Sequence, residues 1–145
     1  LQKRLISIVL DTQDMVMSHI KPGITMHALN KLAWDYLDHQ LGKDFLSKGG
    51  SMERPYALQP HNIGHLLGIQ VHDGPPDRRY MHTPLPAGAV LTIEPGLYGT
   101  FHFKGESLTC GIRIEDNILI TDKGFNNLSK AIPKSISEIE ALFKG

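Results

Sequence analysis

The stretch AVLTIEPGLY, residues 89–98, alternates apolar and polar side chains and then meets Glu94, Pro95 and Gly96. Aliphatic and β-branched residues bounded by Gly and Pro read as a strand. A period of two sets Val90, Thr92 and Glu94 on one face and Leu91 and Ile93 on the other. A second stretch, GIRIEDNILIT at residues 111–121, repeats the pattern, with Gly111, Arg113 and Glu115 together and Ile112 and Ile114 opposite. Each strand therefore brings a carboxylate among apolar neighbours, where an unpaired charge is costly to desolvate. Something has to neutralise both acids. Two answers stay open on these residues alone: a buried salt bridge to Arg113, or a metal ion held by carboxylate oxygens together with a histidine nitrogen.

Candidate histidines lie upstream in HNIGHLLGIQVHDGP, residues 61–75, which packs three histidines and three glycines into one run. His61 and His65 are four apart, the spacing of a zinc pair on a helix, but Pro60, Gly64 and Gly68 argue against a helix here. Asn62 also stands where an HExxH site needs its glutamate, so that class of site is excluded. What remains is an extended or turning segment in which Gly64 and Gly68 admit close approach while His65 and His72 project from separate points. Taken singly, each histidine is more often a satisfied structural residue. Three of them with two inward-facing acids downstream favour a metal site.

Outward from these motifs, Leu5, Ile8, Val9, Val16 and Ile20 recur at helical spacing, with Thr12 and Met15 on the same stripe, and KPG at Lys21–Gly23 stops this helix. Thr25 caps a second helix whose stripe, Leu29, Leu32, Ala33, Tyr36, Leu37 and Leu41, ends at Gly42. Trp34 and Tyr36 read as packing residues of that helix. Between Lys43 and Pro60 no period emerges, and SKGGSMERPY reads as a loop long enough to border a site or hide a short element. DGPPDRRYMHTPLPAG is a Pro-rich turn region, and SISEIEALF is a short capped helix. No repeat or linker divides the chain, so residues 1–145 read as one domain of α+β class.

Composition narrows the function. A hydrophobic share of 41% against 21% charged residues is that of a globular chain,. Fifteen basic residues cancel fifteen acidic ones, so no broad field recruits nucleic acid or an anionic membrane. No apolar run approaches the roughly 20 residues that span a bilayer. The single Cys110 reads as a small packing residue. Because the chain opens on Leu1 inside an amphipathic helix, its N-terminus reads as truncated and targeting is unreadable.

HNIGHLLGIQVHDGP, LTIEPGLY and GIRIEDNILIT, in that order, resemble the Xaa-Pro aminopeptidases of the metallopeptidase family that also holds prolidase and methionine aminopeptidase. The similarity runs from KPGIT to the last strand. GHLLGIQVHDGP with EPGLY and GIRIED looks most like aminopeptidase P, including mitochondrial relatives, and the prolidase branch shares the GHxxGxxVHD form. The resemblance implies a C-terminal portion of a pita-bread fold, an antiparallel curved sheet with covering helices. It makes His65, Glu94 and Glu115 metal ligands, with Glu115 bridging two ions. It makes His72 and Glu94 catalytic: metals lower the pKa of water, Glu94 takes its proton, and His72 donates to the developing oxyanion. His61, His72 and Arg113 fall at substrate-binding or supporting positions. The implied cofactor is manganese, with zinc or cobalt suited to similar ligands, and the implied substrate is a peptide with proline second.

The same resemblance calls for five protein ligands, two of them aspartates on a hairpin upstream of the first helix. Asp11 and Asp14 are the only acids before Lys21 and read as solvated helix charges. The expectation is a peptidase fragment that holds at most one ion weakly and is poorly active alone, completed by another chain or by self-association into a homo-oligomer. The competing readings are a catalytically dead relative that binds peptide or protein and, within the family, a prolidase-type dipeptidase. The expected compartment is cytoplasmic or mitochondrial.

Overall fold

The computed structural model describes residues 1–53, 60–75 and 77–144. Residues 54–59, inside the expected loop after Lys43, and Pro76, inside the expected turn region, lie outside the described residues. The two expected helices form α1, Gln2–Met17, and α2, Met26–Asp44. Thr25 caps α2 as expected, its hydroxyl accepting the Ala28 N–H at 3.1 Å,. Gly42 does not stop this helix, which continues to Asp44. The left-handed glycine that ends the next turn is Gly49, φ 86°, after a 3-10 turn at Leu46–Lys48,. The unpatterned loop also hides a short strand, β1, Ser51–Glu53.

Each of the two expected strands proves to be two. The first divides into β2, Val90–Ile93, and β3, Gly96–Phe103; the second into β4, Glu106–Arg113, and β5, Asp116–Thr121, followed by β6, Gly124–Asn127. The strands make two antiparallel sheets of order β1-β3-β4 and β2-β5-β6. The chain crosses from one sheet to the other at Glu94-Pro95 and crosses back at Ile114-Glu115. Pairing runs from Val90↔Leu119 to Ile93↔Asp116 in one ladder and from Gly96↔Arg113 to Phe103↔Glu106 in the other. Both ladders keep a single register, so together they are one bent ribbon in which Glu94 stands opposite Glu115 and Pro95 opposite Ile114. Pro95 explains the break. Its carbonyl accepts the Ile114 N–H at 3.3 Å, but without an N–H of its own it cannot return the bond. Side-chain alternation continues through the bend, which is why the sequence reads as unbroken strands.

The β3–β4 hairpin turns on Lys104 and Gly105, φ 51° and 83°, the two left-handed residues that a two-residue hairpin requires,. The helix pair lies along the ribbon and packs each sheet with a different half. Val16, Met17, Met26 and Leu29 meet Leu91, Ile93, Ile118 and Ile120 of β2 and β5. Leu5, Ile8, Val9, Leu37 and Leu41 meet Leu97, Phe101 and Phe103 of β3. Trp34 belongs to this second cluster, and Cys110 packs against it part-buried. Each fully buried aliphatic side chain contributes about 1.5–3 kcal/mol, so both sheets are firmly anchored to the same two helices. The C-terminal helix α3, Ile136–Leu142, starts with the expected cap: Ser135 and Glu138 form a capping box,. The architecture is α+β. No helix among the described residues is long and apolar enough to cross a membrane.

Candidate metal centre

Residues 63–67 run antiparallel beside β2. The Thr92 N–H donates to His65 O at 2.9 Å, the Glu94 N–H to Ile63 O at 2.7 Å, and the Leu67 N–H to Val90 O at 3.0 Å. The approach is possible because position 64 has no side chain: a Cβ there would lie 1.8 Å from Thr92 O,. At Gly68 a Cβ would lie 1.7 Å from Asp73 Oδ2. This lateral pairing sets His65 against Thr92 and Glu94. The His65 N–H donates to Thr92 Oγ1 at 3.0 Å, and the Thr92 hydroxyl donates to Glu94 Oε1, also at 3.0 Å.

The bend brings Glu115 to the same place. One ligand atom each from His65, Glu94 and Glu115 lies within 4.8 Å of the other two. Metal bonds of about 2 Å put donor atoms roughly 3–4 Å apart, so small side-chain adjustments close the set on one ion. The protonation pattern also favours a cation. His65 Nδ1 lies 3.0 Å from Leu66 O, and because a carbonyl can only accept, Nδ1 carries the proton in the neutral ring. His65 Nε2 then turns a lone pair toward Glu94 Oε1 at 3.4 Å. In that tautomer two lone pairs face each other, an arrangement that a cation between them would satisfy. Across the ribbon, Glu94 and Glu115 are like charges directly opposed, which is unfavourable without a counter-charge. The donor set of one imidazole and two carboxylates therefore fits a divalent cation.

The salt bridge left open by the sequence is formed, beside the candidate metal ligands. Arg113 Nη1 lies 3.4 Å from Glu94 Oε2, so one cationic side chain accompanies two carboxylates. The Arg113 Nε–H also donates to the Tyr98 hydroxyl at 2.6 Å. That bond raises the Arg113 pKa above its ordinary value; partial burial opposes the rise, and Glu94 and Glu115 add to it,. The expectation of two buried acids needs correction. Glu94 is 8% exposed, whereas Glu115, at the crossing after β4, is exposed and continues the alternation in which every second residue of β4 faces solvent.

A cavity of about 640 Å³ opens over this cluster, lined by His61, His65, His72, Glu94 and Arg113 among others. His72 does not stand apart: its ring centroid is 4.3 Å from that of His65. His61 Nδ1 lies 2.7 Å from Asn62 O and so carries the proton, leaving Nε2 to accept from the Tyr98 hydroxyl at 2.9 Å. Tyr98 thus links His61 to Arg113. Sequence reasoning did not single it out, although its place four residues after Glu94 in a motif already chosen was the available signal. Asp11 and Asp14 are exposed on α1, as expected of solvated charges. Gln13 beside them was also missed. It is fully buried and donates through Nε2 to Ile93 O at 3.0 Å and Ile114 O at 3.1 Å. Its signal was a lone amide on the helical spacing Val9, Gln13, Val16, Ile20.

Known proteins share the sequence and the fold of this chain. Intermediate cleaving peptidase 55, mitochondrial, from Arabidopsis thaliana is 38% identical over 146 residues, covering 97% of this chain and 28% of that protein. Xaa-Pro aminopeptidase 2 of Streptomyces coelicolor is 33% identical over 157 residues, covering 97% of this chain and 32% of its own length. Among solved structures, Icp55 from Saccharomyces cerevisiae superposes with a TM-score of 0.78 at 30% identity, over 99% of this chain and 37% of that one. The chain thus spans about a third of the length of the relatives it matches, and its bent sheet with covering helices is that of the pita-bread fold. Residues 1–122 match the family described as Metallopeptidase family M24, and the chain belongs to that family.

Proposed function

We propose that this chain is the portion of an Xaa-Pro aminopeptidase that carries three of its metal ligands, His65, Glu94 and Glu115, together with the residues that orient substrate. The observation that carries this reading is the convergence of three donor atoms within 4.8 Å, two of them, from His65 and Glu94, on residues that line the cavity. A divalent cation, manganese in the first instance and zinc or cobalt as alternatives, supplies Lewis acidity toward a peptide carbonyl and toward water. The protein's own groups do the rest. Glu94, held by Thr92 and Arg113, accepts a proton from the attacking water at its carboxylate. His72 donates a hydrogen bond to the carbonyl oxygen as charge develops there. His61 and Arg113, joined through Tyr98, form a rigid wall against which the peptide is placed.

Three donors hold an ion less firmly than the five implied by the resemblance. The chain by itself therefore binds one ion weakly and hydrolyses peptides poorly, and it is completed by a further segment or chain, or by self-association. The mitochondrial name of the Arabidopsis relative makes mitochondria the first compartment to test by fractionation, with the cytoplasm as the alternative.

The test, run with the upstream segment supplied, is release of the first residue from an Xaa-Pro-Xaa tripeptide in the presence of manganese, with the Xaa-Pro dipeptide in parallel. Turnover of the tripeptide, lost in His65→Ala, supports the aminopeptidase reading; turnover of the dipeptide alone assigns a prolidase-type dipeptidase. Peptide binding that is unaffected by metal, without turnover, assigns a binding module. Calorimetric titration of the chain gives a second check, since tight binding of two manganese ions would overturn the three-donor account.

A further inference from the structure

We propose that Gln13 is a positioning residue that sets the separation of Glu94 and Glu115 by holding the backbone at both crossing points of the ribbon. This inference rests on the metal reading above. The Gln13 side chain reaches from α1 to the carbonyls of Ile93 and Ile114, which immediately precede the two glutamates. Those two residues lie on opposite arms of the ribbon, more than twenty positions apart in sequence, and one amide joins them.

The orientation of this amide follows from its neighbours. Both carbonyls can only accept, so Nε2 faces them and donates one hydrogen to each. On the other side the Lys134 ammonium, which can only donate, lies 3.1 Å from Gln13 Oε1. Lys134 also pairs with Asp116, which is 1% exposed and follows Glu115 in the chain. Asn127 Nδ2 donates to the same Asp116 carboxylate at 2.9 Å. Every polar atom of the Gln13 side chain is therefore engaged, and its rotamer is fixed from both ends.

The need for Gln13 comes from Pro95. In an unbroken antiparallel ribbon the residue opposite Ile114 would donate its N–H to Ile114 O; that residue is Pro95, which has none. Gln13 supplies the missing donor. The same side chain also holds Ile93 O on the facing strand, so it clamps the two strands at the height where the carboxylates emerge. Its place on α1 lies between the residues that pack one sheet and those that pack the other. A shift of α1 would therefore reach both ligands through this one contact.

Gln13→Met keeps the length and most of the volume of the side chain while removing both donors, and Thr12→Val serves as its control. Thr12 is also fully buried on α1, but its hydroxyl donates only to Ile8 O within the same helix. Urea unfolding of both variants gives their stabilities, so that metal data are compared at matched folded fractions. Gln13→Met is expected to weaken manganese binding about tenfold or more, the scale of losses at groups that orient metal ligands, and to shift the visible absorption of the cobalt-loaded protein. Thr12→Val is expected to leave affinity within about twofold and the cobalt spectrum unmoved. Equal losses in the two variants at matched stability, or unchanged affinity and spectrum in Gln13→Met, overturn the proposal.

A metal-free measurement separates this inference from the metal reading. In protein labelled with carbon-13 at carbonyl and carboxyl groups, Gln13→Met is expected to move the Ile93, Ile114, Glu94 and Glu115 resonances, and Thr12→Val is expected not to. If the unmodified protein binds neither manganese nor cobalt, the metal reading fails and these resonances alone decide the role of Gln13. If they stay in place, the positioning role is wrong whether or not metal binds.

Discussion

Glu94 and Glu115 stand opposite each other in one register, yet they occupy different surroundings. Glu94 stands on an inner wall made by β2 and the 63–67 segment, buried, with Thr92, His65 and Arg113 in contact. Glu115 stands on an outer wall at the end of an exposed strand. The inner wall is pre-organised by backbone pairing before any ligand arrives. The outer carboxylate is free to adjust. In the proposed site, one fixed and one adjustable carboxylate would divide the gripping of a cation from the admission of a peptide.

The most severe way to break this contrast is to neutralise each acid in turn. Glu94→Gln is expected to lower manganese affinity at least about 100-fold and Glu115→Gln only about tenfold, bracketing the scale on which ligand orientation affects binding. Calorimetry reads both, and equal losses would erase the distinction between the walls. The backbone origin of the inner wall is tested next. Gly64→Ala forces a methyl group against Thr92 O and is expected to cost about 1–3 kcal/mol or more in urea unfolding. Gly42→Ala, in α2 with nothing near its missing Cβ, is expected to stabilise by about 0.5–1 kcal/mol. An unchanged midpoint for Gly64→Ala would mean that the 63–67 segment is not held as described.

A finer test exchanges the counter-charge. Arg113→Met leaves Glu94 and Glu115 facing each other, and the metal-free protein is expected to lose up to about 1 kcal/mol, a modest figure because the arginine is half exposed,. Added manganese is expected to restore most of this, and the difference between the two unfolding curves measures it. The smallest effect concerns the outer sheet itself. Burial pushes the Cys110 thiol above its usual pKa, so less thiolate forms at pH 8 than in a free cysteine. Alkylation is expected to run slower than in the urea-unfolded chain and to accelerate as pH rises. Equal rates in folded and unfolded protein would show that β4 packs more loosely than its contacts indicate.

Much of this arrangement was legible in the sequence because side-chain type reports burial and period. The helical stripes, the Thr25 and Ser135 caps, and the facing of Thr92 with Glu94 and of Arg113 with Glu115 follow from spacing alone. Gly64 and Gly68 were readable as close-approach points, although what approaches them was not. The bend was hidden because alternation of side chains survives a change of sheet; only the missing N–H of Pro95 marks it. Gly42 misled because a helix tolerates glycine when neighbouring Leu37, Leu41 and Phe45 are buried. Gln13 and Tyr98 escaped because their partners are backbone carbonyls and side chains distant in sequence, contacts that no local pattern encodes.

Pro95 has one further consequence. A ribbon of this length could lie flat, and a flat competitor would leave one of its two sheets unpacked from the helix pair. Without a hydrogen on that nitrogen, flattening recovers no extra bond at this point, so the straight form gains nothing over the folded one. Covalent chemistry at Pro95 thus favours the bend before any side chain has packed.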